Sequence, residues 1–283
     1  MTGEQKWKEI ITARHNLFYF NAREFWNYRD LLLILIRRDF VAIYKQTILG
    51  PLWFFLQPIL MTLTYVAVFS RLGKFSTEGA PPLLFYLSGL ILWSYFSECV
   101  LRTSTFLKDN SAMLNKVYFP RLIIPVSIVM TNLIKLGIQF VVLMIFYTVF
   151  LLKGQVSLPN SYIALLPLII GCIALLGMGA GIMVASVTTR YKDLIHLLGF
   201  GVQLMMFVSP VLFPLSSLNN GTLQTAIRLN PMSGLIEAFR FGLIGKGNPE
   251  AGLLLYDVCF TLLLLAGGWL LFNKVEKSFV DSI

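Results

Sequence analysis

The chain has 283 residues, of which 57% are hydrophobic and only 13% charged, about half the charged share of an ordinary soluble domain. The first fifty residues hold eight basic and five acidic side chains, which leaves 24 charges for the other 233 residues; this excludes a soluble enzyme and a disordered chain and puts the protein in a membrane. The net charge of +9 does not point to nucleic acid: no basic run with interleaved aromatics stands clear of an apolar span, and Lys and Arg collect on the cytoplasmic side of membrane proteins.

Residues 1–10 hold no apolar core of signal-peptide length. Residues 1–48 read as a cytoplasmic N-terminal segment, and 49–283 as an all-α membrane domain. Within residues 30–48 the apolar run is only six residues long before Arg37-Arg38-Asp39. On a helix, Asp30, Arg37, Arg38 and Lys45 fall in one stripe about 100° wide, and Leu32, Leu35, Ile36, Phe40 and Ile43 lie opposite. This predicts an amphipathic helix along the cytoplasmic leaflet. Asp39 points to the apolar side, where a carboxylate has to be paired, with Arg38 or Arg190, or reach headgroups; the other reading is a kinked helix that exposes it. Arg37, Arg38 and Lys45 face the side from which a lipid headgroup approaches. They either receive an anionic substrate headgroup or simply attract anionic lipid, worth about 1 kcal/mol per residue.

Six apolar runs follow: Leu49–Leu72, Leu83–Leu101, Leu122–Leu152, Tyr162–Val187, Leu194–Phe213 and Gly252–Phe272. Each matches a hydrocarbon core of about 30 Å, which takes roughly 20 helical residues. With six spans both termini lie on one side. Placing them in the cytoplasm gives sixteen Lys and Arg inside and six outside, with Lys135 within a span, the bias that sets orientation. In the first span Trp53, Phe54, Phe55, Tyr65 and Phe69 suit sugar rings and equally suit lipid contact. The loop 102–121 is long for a plain connection: Thr103 or Ser104 is expected to cap a short helix that ends between Asn115 and Pro120. It is either a docking element or a solvated linker. In the third span Asn132, Lys135 and Gln139 share a face, which either lines a polar conduit or lets Lys135 snorkel to the inner interface. Gly177, Gly181 and Ala185 repeat every four residues, the pattern of close helix packing. The cysteines Cys99, Cys172 and Cys259 read as small apolar residues, and with His15 and His196 far apart no metal cluster is expected.

Between spans five and six, residues 214–250 hold two short helices. Thr222–Leu229 is the first, Asn230-Pro231 is the break, and Met232, Leu235, Ile236, Phe239 and Leu243 form the apolar face of the second. Glu237 and Arg240 are expected as an exposed pair on its other face. Neither helix can span, so the segment reads as a re-entrant hairpin at a pathway mouth, or as one lying flat on the outer surface. Asn220-Gly221-Thr222 reads as a turn rather than a glycosylation site. No phosphate-binding Gly-x4-Gly-Lys-Ser/Thr run occurs, so energy for uphill transport has to come from another chain or an ion gradient. A membrane transferase needs clustered His, Asp or Glu at an interface, which is missing. An ion-coupled carrier needs intramembrane carboxylates, and only Glu98 and Asp257 qualify, both near span ends.

Arg38-Asp39, Tyr44-Lys45-Gln46-Thr47, Leu49-Gly50 and Trp53 resemble the entry motif of ABC-2 type permeases. Asn115-Lys116-Val117-Tyr118-Phe119-Pro120-Arg121, Arg190-Tyr191-Lys192-Asp193, Ser209-Pro210-Val211, Asn230-Pro231-Met232 and Phe239-Arg240 resemble further motifs of that family, in order, over about residues 30–275. The most similar subgroup is the polysaccharide and polyol-phosphate exporters, which include O-antigen and teichoic-acid permeases; a drug or lipo-oligosaccharide permease is the alternative cargo class. The resemblance implies a transport subunit in the bacterial cytoplasmic membrane, not an enzyme. It implies a homodimer joined to two copies of a separate ATPase that binds ATP and Mg, with no cofactor in this chain. The implied cargo is a lipid-linked glycan on an undecaprenyl pyrophosphate or similar anchor, with Arg37, Arg38 and Lys45 at the pyrophosphate. It further implies that the amphipathic helix is an interface helix. Lys108, Asn115, Lys116, Tyr118, Phe119, Pro120 and Arg121 would belong to the segment coupled to the ATPase. Asn230, Pro231, Glu237 and Arg240 would belong to an outer gate. Trp53, Phe54, Tyr65, Phe69, Asn132, Lys135 and Gln139 are the candidate conduit residues.

Overall fold

A computed structural model describes residues 22–280 apart from 46, 115, 118, 189–192 and 218–220. The expectations for residues 1–21, Gln46, Asn115, Tyr118, Arg190, Tyr191, Lys192 and the turn at Asn220 lie outside the described residues. All regular structure among the described residues is helical. The helices are α1 (Ala22–Asn27), α2 (Arg29–Tyr44), α3 (Trp53–Tyr65), α4 (Pro82–Asp109), α5 (Ser111–Leu114), α6 (Ile123–Leu152), α7 (Leu166–Thr188), α8 (Leu194–Phe207), α9 (Thr222–Arg228), α10 (Ser233–Ile244) and α11 (Ala251–Val280).

Five of the described helical stretches are long and apolar enough to cross a membrane: Gly50–Leu72, Pro82–Asp109, Ile123–Leu152, Ser161–Thr188 and Ala251–Lys274. The fifth expected run differs. α8 stops at Phe207, and its 14 residues rise only about 21 Å. Pro210 explains the early stop, since it lacks an N–H and disfavours helical geometry at the residue before it. In the first span Pro58 is accommodated inside α3, where Thr62 Oγ1 donates to the Pro58 carbonyl at 2.7 Å. The helix then widens into a π-helical stretch, Val66–Leu72.

α4 is the centre of the protomer, with Leu84, Tyr86, Leu87, Ile91 and Cys99 fully buried. It also runs eight residues past the apolar run that predicted it. Thr103 and Ser104 therefore cap nothing: they sit inside the helix, 0% and 2% exposed. Ser104 Oγ donates to the Leu101 carbonyl, and the Ser104 carbonyl accepts from Thr188 Oγ1 of α7 at 3.2 Å. Burial of Phe106 and Leu107 repays the added turns, and Asn110 ends the helix by donating its side-chain amide to the Phe106 carbonyl at 3.0 Å.

The four-residue small-residue repeat does what its spacing predicts. A Cβ added at Gly177 would meet Cys99 Cβ of α4 at 2.7 Å, and one at Gly181 would meet Thr103 Cβ at 2.5 Å. The neighbouring face of α7 is equally close to α11: a Cβ at Gly179 would lie 2.9 Å from Leu265 Cα, and one at Gly268 would lie 2.7 Å from the Gly179 carbonyl oxygen. α7 is thus the thin middle layer between α4 and α11, and its missing side chains let three backbones stack.

α2 lies against α6. Leu35 is 2% exposed and packs in a cluster with Phe106, Phe119, Ile123, Ile124 and Phe272. Leu32, Ile36, Phe40 and Ile43 are half-buried, while Asp30, Arg37, Arg38 and Lys45 are exposed, as the stripe arithmetic requires. Leu33 and Ile34 are each 63% exposed; Leu33 sits on the flank between those faces, and Ile34 lies within the charged stripe, four residues from both Asp30 and Arg38.

Candidate functional site

A dense polar assembly lies at the expected outer side, around α10. The sequence predicted a helix with one apolar face; the structure buries nearly every side chain from Ser233 to Ile244. Three helices and a connection hold it. At its start, Asp257 of α11 accepts from the Leu235 N–H at 3.1 Å and from Gly234, acting as an N-cap supplied by another helix. Gly234 is a glycine because a Cβ would collide with the Asp257 carboxylate. At its end, Asn160 donates its backbone N–H to Gly242 and its side-chain amide to the Phe241 carbonyl, at 3.0 and 2.9 Å. Gly245, at φ 73°, then terminates the helix in the left-handed conformation.

Midway, Arg240 is 2% exposed. Its guanidinium donates to the carbonyls of Pro210, Val211 (2.8 Å) and Phe85 (3.0 Å) and to Ser88 Oγ (3.4 Å), and it lies 3.7 Å over the Phe85 ring. Gly89 leaves the room, since a Cβ there would be 2.5 Å from the Arg240 terminal nitrogen. Asn230 does related work: its amide donates to the Val208 carbonyl at 2.9 Å and its oxygen accepts from the Met232 N–H at 3.1 Å. The carbonyls of Val208, Pro210 and Val211 lie in the chain just past the end of α8, where no helical N–H reaches them. Three separated sequence motifs, Ser209-Pro210-Val211, Asn230-Pro231-Met232 and Phe239-Arg240, thus form one junction.

Glu237 and Arg240 are not the exposed pair expected. Glu237 is 3% exposed, and no ion pair joins the two among the described residues. Glu237 accepts instead from the Leu215 N–H at 3.1 Å and from Asn248, binding the chain before α9 and after α10 to the same helix. Burial raises its carboxyl above the ordinary range, against the pull of the Arg240 charge. Burial also lowers Arg240 to about 10, still charged at neutral pH. α9 is held by fewer contacts: an exposed Arg228–Glu250 pair at 2.6 Å, Tyr256, which donates to the Leu229 carbonyl at 2.9 Å, and Ser233, which donates to the carbonyl of the buried Ile227 at 2.5 Å.

On the expected cytoplasmic side Asp39 is paired. Arg38 Nε donates to its Oδ1 at 2.8 Å, and another Arg38 nitrogen donates to Asn110 Oδ1 at 3.3 Å. Arg38 is therefore engaged in tying α2 to the end of α4, and Arg37 and Lys45 stay exposed. In the following segment Lys108 and Lys116 are exposed, Pro120 and Arg121 half-buried. Phe119 is 4% exposed in the cluster with Leu35, which makes it an anchor rather than a docking surface.

The expected conduit residues separate. Asn132 and Gln139 are 2% and 4% exposed and turn toward α4, where Asn132 Nδ2 meets Cys99 Sγ at 3.7 Å and Gln139 accepts from Ser94 Oγ at 3.3 Å. Lys135 forms an ion pair with Glu98 of α4, which lies eleven residues before the end of that helix. Of the aromatics, Phe54 is 3% exposed and stacks on Phe40 of α2 at 5.6 Å. Tyr65 donates to Met206 Sδ of α8 at 3.8 Å, and Phe69 packs against Phe75 and Tyr86. Trp53 stays 44% exposed. Gly89 was missed in the sequence, and Asp257 and Glu98 were noted only as carboxylates near span ends; each acquires its role through a partner far along the chain.

Residues 30–244 match the family model for ABC-2 type transporters. The chain is 28% identical over 263 residues, 93% of its length and 98% of the relative's, to an O-antigen export system permease protein of Myxococcus xanthus. It is 26% identical to an O-antigen export system permease protein of Klebsiella pneumoniae, over 89% of this chain and 94% of that one. It is 23% identical to a capsule polysaccharide export inner-membrane protein of Neisseria meningitidis, over 88% and 92%.

Proposed function

The chain belongs to the ABC-2 type transporter family, and from that premise we propose that it is the multi-pass permease subunit of a polysaccharide exporter in a bacterial inner membrane. The observation that carries the reading is the alignment with an O-antigen export permease over 93% of this chain and 98% of that one. The cargo is a lipid-linked polysaccharide moved from the inner to the outer leaflet, and ATP is hydrolysed on a separate ATPase chain. The functional unit is two permeases with two ATPases. Exposed apolar side chains on α3 and α8, among them Leu60, Leu63, Phe200 and Leu204, support association within the bilayer.

In this reading both termini are cytoplasmic and there are six crossings. The fifth is α8 together with its non-helical continuation, Ser209–Leu212, whose residues are all buried. Backbone of that kind is tolerated at membrane depth only where protein satisfies it, which is what Asn230 and Arg240 supply. α2 lies along the inner leaflet with Arg37 and Lys45 toward the lipid headgroup. The exposed residues Lys108 and Lys116 face the ATPase, and α9 and α10 form the re-entrant outer gate. The test is deletion of the chain in cells that synthesise the polymer. Surface polysaccharide should vanish while lipid-linked polymer accumulates on the cytoplasmic side, and complementation should restore it. Undiminished surface polymer in the deletion strain refutes the reading.

A further inference from the structure

α4 carries a polar stripe on the side facing away from α7. Phe96, Cys99, Val100 and Thr103 are buried, and α7 meets this face through Gly177 and Gly181. One half-turn away, Ser94, Ser97, Glu98, Leu101 and Thr105 are half-buried, and Arg102 is exposed. These positions recur at three- and four-residue steps, so they form one line along the helix. Five of the six are polar, within a helix apolar enough to cross the bilayer and the most buried of the five candidate spans among the described residues. Lys135 extends the line from α6 by pairing with Glu98, at 13% and 28% side-chain exposure.

Lipid does not solvate such a line. Ionisable groups at membrane depth face protein or a water-filled cavity, and here a salt bridge and two serine hydroxyls are all left partly open. The hydroxyls are only lightly engaged: Ser94 donates to the Ile91 carbonyl and to Gln139 at 3.4 and 3.3 Å, and Ser97 donates to the Ser94 carbonyl at 3.1 Å. Each keeps acceptor capacity. From Ser94 to Leu101 the charges cancel, because Glu98 and Lys135 neutralise each other, and Arg102, exposed toward the end of the stripe, is one cation and not a row. A polymer with a phosphate in every unit would need a row of cations along its path.

From this line, and resting on the polysaccharide-export reading, we infer that the Ser94–Thr105 stripe of α4 with Lys135 is a hydrated track for an uncharged, polyhydroxylated glycan chain. Sugar hydroxyls donate to and accept from the serines and the Glu98–Lys135 pair as the polymer slides, and no repeating anion is required.

The test is cysteine accessibility in the assembled complex, in membrane vesicles, with the exposed Cys259 replaced by serine. Ser94→Cys and Ser97→Cys are compared with Ile145→Cys on α6, a side chain 59% exposed in an apolar setting, using membrane-impermeant cationic and anionic methanethiosulfonates of similar size. In vesicles from cells unable to make the polymer, the two stripe positions should label an order of magnitude faster than Ile145→Cys. Vesicles from polymer-producing cells should show protection. Labelling as slow as at Ile145→Cys would mean that lipid or another polypeptide covers the stripe, and it would overturn the proposal, as would rapid labelling that polymer leaves unprotected. Cationic and anionic adducts on Ser97→Cys should reduce export equally; weaker inhibition by the cationic adduct overturns the uncharged-cargo assignment. Surface polysaccharide in the deletion strain is scored separately, so failure of the export reading is distinguished from failure of the track.

Discussion

Arg240 reaches back thirty residues to donate a hydrogen bond to the carbonyl oxygen of Pro210, the proline that ends α8. The bond answers a deficit written into the sequence. Past the proline that ends a helix, backbone carbonyls have no helical N–H to accept from, and in a membrane they have no water to turn to. The planar fork of Arg240 covers Pro210, Val211 and Phe85 on two different elements.

Arg240→Lys should therefore be destabilising although it keeps the charge. An ammonium is a point donor and cannot cover carbonyls on two elements, and each buried carbonyl left bare costs about 1–3 kcal/mol. Thermal unfolding in detergent should show a clear loss for Arg240→Lys and a larger one for Arg240→Met. A lysine variant as stable as the parent would mean that the junction is held by apolar packing.

Asp257 predicts a loss of the same origin at the other end of the helix. Asp257→Ala removes the cap on Gly234 and Leu235 and should cost about 1–2 kcal/mol, the range for an N-cap. The effect should be local: amide exchange should quicken in the first turn of α10, with α4 and α7 protected as before. Uniform quickening across the bundle would contradict a capping role.

Much of this architecture was legible in the sequence, for physical reasons that differ by element. Apolar runs and a four-residue glycine repeat are local patterns, so five crossings and a close-packing face on α7 follow from composition and spacing, though not that α4 is its partner. The α2 stripe is equally local, and the Asp39–Arg38 pair was one of its stated solutions. What could not be read was pairing across distance. Glu237 and Arg240 are three residues apart and opposite in charge, which suggests each other; in the fold each is claimed by loops 22 to 30 residues away. Asn132, Lys135 and Gln139 do share a face, but its neighbour is α4, so the open polar surface moved from the third span to the second.

The glycine seam gives a paired test. Gly181→Ala should cost about 1–3 kcal/mol by overpacking, because its Cβ would lie 2.5 Å from Thr103 Cβ and 3.0 Å from the Val100 carbonyl oxygen. Gly171→Ala, in the same helix with nothing within 4 Å, should be neutral or stabilising through helix propensity. Equal responses in a detergent unfolding assay would mean that α4 and α7 are not in contact there.

Asp39 and Asp30 are contrasted in the same way. Asp39 is 18% exposed and paired with Arg38, whereas Asp30 is 83% exposed and 3.8 Å from Arg29. Asp39→Asn should loosen α2 and lower complex yield, since Arg38 also tethers Asn110. Asp30→Asn should have no measurable effect, as expected for an exposed pair. Matching yields for the two variants would remove the case for Asp39 as the fastening of α2.

The last prediction concerns which part of the outer hairpin moves. α10 is fixed at its start by Asp257, midway by Arg240 and at its end by Asn160. α9 is held to the start of α11 by Arg228, whose two terminal nitrogens reach the Glu250 carboxylate at 3.2 and 2.6 Å with both side chains about 40% exposed. Opening that releases α10 has to break the bonds of Asp257, Arg240 and Asn160 together; opening that swings α9 about Asn230-Pro231 breaks an exposed pair worth about 0–1 kcal/mol, the Tyr256–Leu229 and Ser233–Ile227 bonds and the packing of the buried Ile227, a smaller set. The lighter element is the expected gate. Arg228→Glu should leave unfolding temperature nearly unchanged while altering the export rate, and the double exchange Arg228→Glu with Glu250→Arg should restore it. If Arg228→Glu lowers the unfolding temperature as much as Arg240→Lys does, α9 is part of the rigid frame and the opening lies elsewhere. Export unchanged by Arg228→Glu leads to the same conclusion.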